Sequence, residues 1–425
     1  MVMAIEAKSA DGTPGEGAFG ERIMALADHL AQWSEASEGL TCTYLSPAHR
    51  RVAAEIRDLL RQAGLAAEID AVGNVVARYA AADPAAKALI VASHYDTVRN
   101  AGKYDGRLGV LTALVLVEHL TRSGRRLPFH LDVIAFSEEE GVRFASSFLG
   151  SSAVAGRFDP ALLERRDAGG STLAAAMREA GLDPAEIPAL ARRRAELVGY
   201  LEVHIEQGPV LLEEGLPVGI VSAVAGSVRS LVTITGTAGH AGTVPMARRH
   251  DAAAAAAELV LYVERRCAQA PTLVGTVGQL AVPDGAINII PGRCELSLDI
   301  RAGDDGTRDA AVADVAAEMG RIAARRGVAI ESRQVQRTAA VACSPRLRSL
   351  LADAVACAGV TPRQLASGAG HDAMMFDGVC DLAMLFVRCG NGGVSHSPCE
   401  IVSAEDADLA ARVLLDAVLR LAQTP

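Results

Sequence analysis

Short apolar runs alternate along this chain with longer segments whose apolar positions recur at helical spacing. The run Ala88-Leu89-Ile90-Val91-Ala92 has the length and branching of a buried parallel strand, and Leu108 to Leu116 reads as a buried helix behind it. Residues 129–136, 198–203 and 382–387 repeat the strand pattern. Helices are expected over about 21–38, from Ser46-Pro47 to about 63, over 345–358 and over 405–422, and a hairpin turns at Val72-Gly73 between 67–70 and 74–79. The stretch 150–197 is Ala/Glu/Arg-rich and expected to be helical. From about residue 214 the pattern changes: paired strands at 218–223 and 228–235, a helix at 248–266, strands near 273–281 and 294–301, a helix at 308–325 and a strand at 328–335. That alternation can bury a core of its own. The expectation is an α/β protein in which a mixed, mostly parallel sheet flanked by helices is built from 20–213 and 332–425. A smaller α+β domain, 214–331, is inserted into it, and residues 1–19 form a disordered lead-in.

Composition narrows this picture. A chain of 425 residues exceeds the roughly 250–300 that one hydrophobic core serves, which agrees with two domains. A formal net charge of -10 argues against nucleic acid or an anionic membrane as partner. No apolar run approaches the ~20 residues that span a bilayer. The Gly- and Ala-rich opening has neither the basic nor the apolar region of a signal peptide, so a cytoplasmic protein is expected. The eight cysteines contain no CxxC pair and are read as reduced thiols in or near the core.

The chemistry gathers where apolar strands end. The 88–92 run leads into Ser93-His94-Tyr95-Asp96 and then Lys103-Tyr104-Asp105-Gly106 at the start of the next helix. Asp96 lies on the face of His94 and is placed to orient its imidazole. Taken alone, this is a metal site or a strand-end histidine beside a solvated acidic loop. The 129–136 strand ends in Glu138-Glu139-Glu140, three acids whose mutual repulsion calls for a positive neighbour. The 198–203 strand ends in His204-Ile205-Glu206-Gln207, and His396 lies in a glycine-rich turn after 382–387. His94, Asp105, Glu140, His204 and His396 together are nitrogen and oxygen donors without a thiolate, a set suited to two Zn or Mn ions sharing one carboxylate. Glu139 is then left as general base toward water, and it is counted with Asp96 and His240 as catalytic. In the inserted domain, His240 sits in a glycine-flanked loop, Asn288 in Asn288-Ile289-Ile290-Pro291-Gly292, and Arg301 at a strand end. They offer an oxyanion donor, an amide and a planar guanidinium, or else a turn histidine and a surface salt bridge. His29, His49, His119, His130 and His250 are read as structural.

These motifs resemble one family. SHYDTV with KYDG, EEEGVRF, HIEQG, GHAGTVPM with Arg249 and Asp251, NIIPG, SGAGHDA and GGVSHSP occur together from about residue 20 to the C-terminus. The chain is similar to the hydantoinase/carbamoylase amidases, a branch of the dinuclear metallopeptidase superfamily. The resemblance implies that His94, Asp105 and His204 hold one divalent ion and Asp105, Glu140 and His396 the other, with Asp105 bridging. It implies Glu139 as base and Gln207, His240, Asn288, Arg301 and His371 as substrate contacts, with Arg301 on the carboxylate. It implies hydrolysis of a ureido C–N bond on a small carboxylate, allantoate being favoured and N-carbamoyl-L-amino acids or a β-ureidopropionase substrate following. It also implies a homodimer formed through a lid domain, 214–331, with His240 serving the partner's site; because the five ligands lie outside 214–331 and His240, Asn288 and Arg301 inside it, a hinge is expected near 210–217 and 330–335. A metallo-aminopeptidase would carry an acid in place of His204, and a non-catalytic binding homologue would lack Glu139 or a ligand; neither departure is present.

Overall fold

The structure, a computed structural model, describes residues 18–423. The lead-in expected over 1–19 lies outside the described residues except for Ala18 and Phe19, which open the helix Ala18–Ala31. Two compact units are present. The first takes the described residues up to Val221, then Cys343–Leu365 and the chain from His371 on; the second takes Ser222–Ala342 with Ala366–Gly370. The changeovers fall later than the 213/214 and 331/332 expected from sequence. The strand Val218–Val224 begins against Leu382–Val387 in the first unit, and Ala329–Thr338 stays paired along its length with Gly226–Thr235 in the second.

The first unit is a mixed sheet with strand order Ala66–Ile69, Val75–Tyr79, His130–Phe136, Ala88–His94, Leu197–Ile205, Leu382–Val387, Val218–Val224. The four central strands, from His130–Phe136 to Leu382–Val387, run parallel to one another, and antiparallel neighbours flank them on both sides. Every residue of Ala88–His94 and of His130–Phe136 is buried, as strands covered on both faces require. The helix Arg107–Ser123 is buried over most of its length. Its close seat depends on Gly109, where a Cβ would stand 2.1 Å from the Val203 carbonyl oxygen and 2.6 Å from Ser93 Cβ. At the opposite end of the chain, Asp408 of the helix Ala404–Leu421 accepts the Phe19 and Gly20 amides at 3.0 and 3.2 Å, which caps the first helix.

Three expectations are corrected. The first helix stops at Ala31 rather than 38, because the Ser34 hydroxyl accepts the amides of Ala36 and Thr41 and turns the chain. The stretch 150–197 is helical only in short pieces, α over Leu149–Val154 and Leu173–Glu179 and 3-10 over Pro160–Glu164, Pro184–Leu190 and Arg194–Glu196. Left-handed glycines at 156, 170 and 181 and turns begun by Pro160 and Pro184 break it into short pieces, which cover a small core of Tyr44, Phe144, Leu149, Leu173, Met177 and Ile187. The strands expected at 218–223 and 228–235 are not a pair. Only Ala225 separates Val218–Val224 from Gly226–Thr235, too little chain to reverse, and the two belong to different sheets. A strand not expected, Gln364–Ser367, pairs with Val218–Val224.

The second unit is an antiparallel sheet in the order Leu280–Ala281, Arg293–Ala302, Gly226–Thr235, Ala329–Thr338, with Leu273–Thr276 also on Arg293–Ala302. Arg293–Ala302 alternates buried and less buried residues along its length, one face toward the core. That core takes Val232, Ile234, Leu296, Leu298 and Ile300 from strands, and Leu259, Val263, Val315 and Ile322 from the helices Ala252–Cys267 and Asp305–Arg326. No described cysteine is disulfide-bonded; six are buried, while Cys357 and Cys399 are exposed. Among the described residues no helix is long and apolar enough to cross a membrane.

The seat of Gly109 gives a direct test of this packing. Gly109→Ala forces a methyl against backbone and is expected to cost about 1–3 kcal/mol, lowering the thermal unfolding midpoint by several degrees. An unchanged midpoint would show that the helix does not sit this close.

Candidate metal centre

Parallel register brings the carboxyl ends of four strands to one edge of the first unit: His94 lies opposite Phe136, and Phe386 opposite His204. Open α/β sheets bind ligands at this edge. His94 ends its strand and is 2% exposed, and His204 lies near the end of Leu197–Ile205 and is 1% exposed. Asp105 precedes Gly106, which starts the next helix with φ +65°. A Cβ on Gly106 would strike the His94 ring at 2.4 Å, so glycine is what lets the Asp105 loop lie flat on the imidazole. Glu139 and Glu140 follow His130–Phe136, and His396 follows Leu382–Val387.

These side chains converge on Asp105. Its Oδ1 lies 3.5 Å from His94 Nε2 and 3.3 Å from His204 Nε2; its Oδ2 lies 3.1 Å from His396 Nε2, which in turn is 3.4 Å from Glu140 Oε1. The ligand atoms of His94, Asp105 and His204 fall within 4.8 Å of one another, and so do those of Asp105, Glu140 and His396. One carboxylate thus belongs to two groups, one oxygen facing each.

The electrostatics favour a cation in each group. His204 Nδ1 stands 2.9 Å from the Ile205 carbonyl and His94 Nδ1 3.2 Å from the Asp96 carbonyl, so both Nδ1 atoms are donors. In neutral imidazoles the two Nε2 lone pairs then face each other at 3.4 Å, with a carboxylate beside them. Asp105 Oδ1 and Glu140 Oε1 are buried without a hydrogen-bond partner among the described residues. The cluster draws positive charge to itself. Burial opposes charge on Asp105, yet His204, His396 and His94 hold its carboxyl well below the usual range. Asp105 and then Glu140 push His396 up to about 10. Neutral imidazole nitrogens and carboxylate oxygens, with two orphaned buried oxygens among them, fit divalent ions.

Asp96 does more than face His94. Its Oδ1 accepts the Glu139 amide at 3.1 Å and its Oδ2 the Glu140 amide at 3.2 Å, while Oδ1 lies 3.6 Å from His94 Nδ1. Asp96 therefore sets the imidazole through its carbonyl and the glutamate turn through its carboxylate. Burial raises the Glu139 carboxyl well above its normal range, opposed by His94, which suits a group that must accept and release a proton. Glu138 turns the other way. At φ +56° its side chain is fully buried, and desolvation, followed by the charge of Asp96, keeps its carboxyl neutral well above the usual range.

The remaining predicted residues divide between the units. In the first, Gln207 (φ +56°) donates from Nε2 to Asp105 Oδ2 at 2.8 Å, and the buried His371 ring stands edge-on to His204 at 4.5 Å between centroids. In the second, the short strands Gly239–His240 and Ile289–Ile290 pair, with Ile289 opposite His240, and Ala241 donates to the Asn288 carbonyl. The structure thus makes His240 and Asn288 neighbours. His240 Nδ1 accepts the Gly242 amide at 3.0 Å, so the neutral ring carries its proton on Nε2 as a donor. Arg301 is joined side-on to Asp299 (3.0 and 2.8 Å) and donates to the Gly368 carbonyl, which leaves two of its five N–H groups.

Sequence reasoning assigned no role to Glu202, Glu400 or Asp372, all buried in the first unit. Glu202 accepts from Ser93 Oγ at 3.0 Å and Tyr200 Oη at 2.9 Å beneath His204 and His371. An acid inside an otherwise apolar strand run, two positions before His204 and so on the same face, is the signal that marked it.

Comparison with known proteins gives the family of the chain. Residues 90–420 match the model of Peptidase family M20/M25/M40, a metal-dependent family. The chain is 40% identical over 405 residues to the N-carbamoyl-L-amino acid amidohydrolase of Geobacillus stearothermophilus, covering 95% of this chain and 99% of that one. It is 38% identical over 427 residues to allantoate deiminase of Arabidopsis thaliana, covering 93% and 81%. An amidase of the hydantoinase/carbamoylase family from Burkholderia multivorans superposes with a TM-score of 0.89 at 31% identity, covering 96% and 98%. A sheet whose strand ends gather imidazoles and carboxylates around one aspartate, matched over nearly its whole length by such relatives, belongs to the M20 family and, within it, to the hydantoinase/carbamoylase amidases.

Proposed function

We propose that the chain hydrolyses the ureido C–N bond of a small carboxylate, with allantoate as the favoured substrate. The observation that carries this is Asp105, one oxygen toward His94 and His204 and the other toward His396, with Glu139 beside the cluster. His94, Asp105 and His204 would hold one Zn or Mn ion, and Asp105, Glu140 and His396 the second. When bound, the ions supply the Lewis acidity that makes water a nucleophile near neutral pH. Glu139 takes the proton from the attacking water and returns it to the leaving nitrogen. His240 Nε2–H would donate to the developing oxyanion, and Asn288, Gln207 and His371 would orient the ureide. Arg301 binds the carboxylate through its two remaining N–H groups. The products are an amine and a carbamate, and the carbamate then breaks down to CO2 and ammonia.

A second substrate reading, N-carbamoyl-L-amino acids, is favoured by the relative that is 40% identical over 99% of its own length. Both substrates pair a ureido group with a carboxylate. Turnover measured over allantoate, several N-carbamoyl-L-amino acids and dipeptides, by ammonia release for the ureides and by new α-amino groups for the dipeptides, decides between them. Turnover of dipeptides alone would sink the ureide assignment.

The ligands lie in the first unit, whereas His240, Asn288 and Arg301 lie in the second. One substrate can meet both sets only if the second unit of the same chain, or of a second copy, reaches the metal centre. A homodimer is supported by apolar side chains exposed near His240 in sequence and pairing, among them Met246 at 77%, Ile287 at 103% and Ile289 at 41%. Unpaired cysteines fit a reducing, cytoplasmic setting.

Three outcomes test this reading. Chelation abolishes activity and Zn2+, Mn2+ or Co2+ restores it, while His94→Ala and His396→Ala lower metal content by elemental analysis; full occupancy in both variants would overturn the ligand assignment. Glu139→Gln keeps the metals but lowers kcat by about 10²–10⁴-fold. Glu138→Gln changes little, since an amide replaces a neutral carboxyl of the same shape; a dead Glu138 variant beside a working Glu139 variant would move the base by one position. Finally, mixing inactive Glu139→Gln and His240→Ala subunits restores activity if His240 acts across a dimer. No recovery after proven subunit exchange confines His240 to its own chain.

A further inference from the structure

Glu400 has no role in the reaction as proposed, yet its side chain joins two of the three loops from which the second ion would be held. It is 5% exposed. Its Oε1 accepts the backbone amides of Tyr104 at 2.7 Å and Asp105 at 3.1 Å, nearly three hundred residues earlier in the chain. Its Oε2 lies 3.0 Å from the hydroxyl of Ser395, which donates to Asp105 Oδ2 at 2.6 Å and is the residue before His396. The Glu400 segment is itself tied down: its amide donates to the Ser397 carbonyl, Gly390 donates to the Ile401 carbonyl, and Asn391 Nδ2 donates to the Cys399 carbonyl. Room for the carboxylate is made by Gly102, where a Cβ would lie 2.4 Å from Glu400 Cβ and Oε1.

This is a costly arrangement unless it has a use. A carboxylate is brought out of water next to other acids, and the amides it accepts would find water in an open loop. What it secures is position. Asp105 has no strand beneath it and stands ahead of a helix whose N-cap, Gly106, offers no side-chain cap. His396 sits at φ +55° in a turn, and its side chain is 48% exposed, in contrast to the buried His94 and His204 on strand ends. The two ligands least supported by the sheet are the two that Glu400 connects.

We propose that Glu400 is a positioning residue that fixes the bridging Asp105 relative to His396 and thereby sets the affinity of the ion held by Asp105, Glu140 and His396. Two of that ion's three protein ligands depend on Glu400, against one of three for the ion held by His94, Asp105 and His204. The effect is therefore unequal between the two. This inference rests on the two-ion reading above.

The test titrates the chelator-treated full-length protein with Mn2+ by calorimetry, with electron paramagnetic resonance reporting the spin-coupled pair. The parent binds two ions. Glu400→Ala weakens one of them by roughly 10–100-fold, the range for partners that orient a ligand, changes the other less, and loses the coupled signal at an Mn2+ concentration that saturates the parent. Glu400→Gln keeps an oxygen for both amides and recovers most of the affinity. Gly102→Ala, which displaces Glu400 without removing it, shifts the same ion in the same direction. These two variants carry the test should Glu400→Ala fold poorly. Affinities unchanged in Gly102→Ala and Glu400→Ala overturn the proposal, as does an equal loss at both ions with a lowered thermal midpoint, the mark of a general structural defect. A parent that binds a single ion overturns the two-ion reading itself, and this proposal with it.

Discussion

Everything at the carboxyl edge of the central sheet is arranged to keep one aspartate charged inside the protein. Asp105 is 2% exposed, where an isolated carboxylate would take up a proton rather than remain ionised. Three imidazoles around it reverse that preference, and each comes from a different strand end or turn. The parallel register supplies His94 and His204 at neighbouring strand ends, and the buried helix behind them fixes where Asp105 can stand. Remove the charge at this point and the cluster loses the group that draws positive charge to His94, His204 and His396.

The same edge holds unusual backbone. Glu138, Gln207 and His396 all have positive φ without being glycine, at 56°, 56° and 55°. Each such residue costs on the order of 1–3 kcal/mol and persists only where its surroundings over-determine it. Here the surroundings are visible. The Glu138 and Glu139 carbonyls accept from Leu149 and Phe148, Gln207 is held by Asp105, and His396 lies between Asp105 and Glu140. The turn at Glu138 separates the roles of three adjacent glutamates, one buried and neutral, one near the cluster, one facing His396.

That turn also shows where reading the sequence reaches its limit. The central strands and their helix were legible because an uninterrupted apolar run has few ways to be buried, and the histidines and acids that end such runs stand out against them. The direction in which each glutamate points was not legible, since alternation stops where the strand does. Glu400 was silent because its partners are amides of Tyr104 and Asp105, and a backbone amide leaves no mark in composition. The strands Val218–Val224 and Gly226–Thr235 have the pattern of a hairpin, and only the single residue between them tells otherwise. The 150–197 stretch has helical composition, but glycines and prolines there outweigh the propensity of its alanines.

The side-on clasp between Asp299 and Arg301 has a consequence for selectivity. A free guanidinium rotates, and holding it for a ligand costs side-chain entropy at the moment of capture. Asp299 and the Gly368 carbonyl bear that cost in the folded chain, so the two N–H groups that remain have a fixed plane and a fixed spacing. An oxyanion presents two oxygens in one plane to such a fork, whereas a neutral amide offers a single oxygen and no charge. In the substrate contact proposed above, the clasp would make Arg301 a gauge of orientation as well as of charge, one that a lysine at the same position could not reproduce.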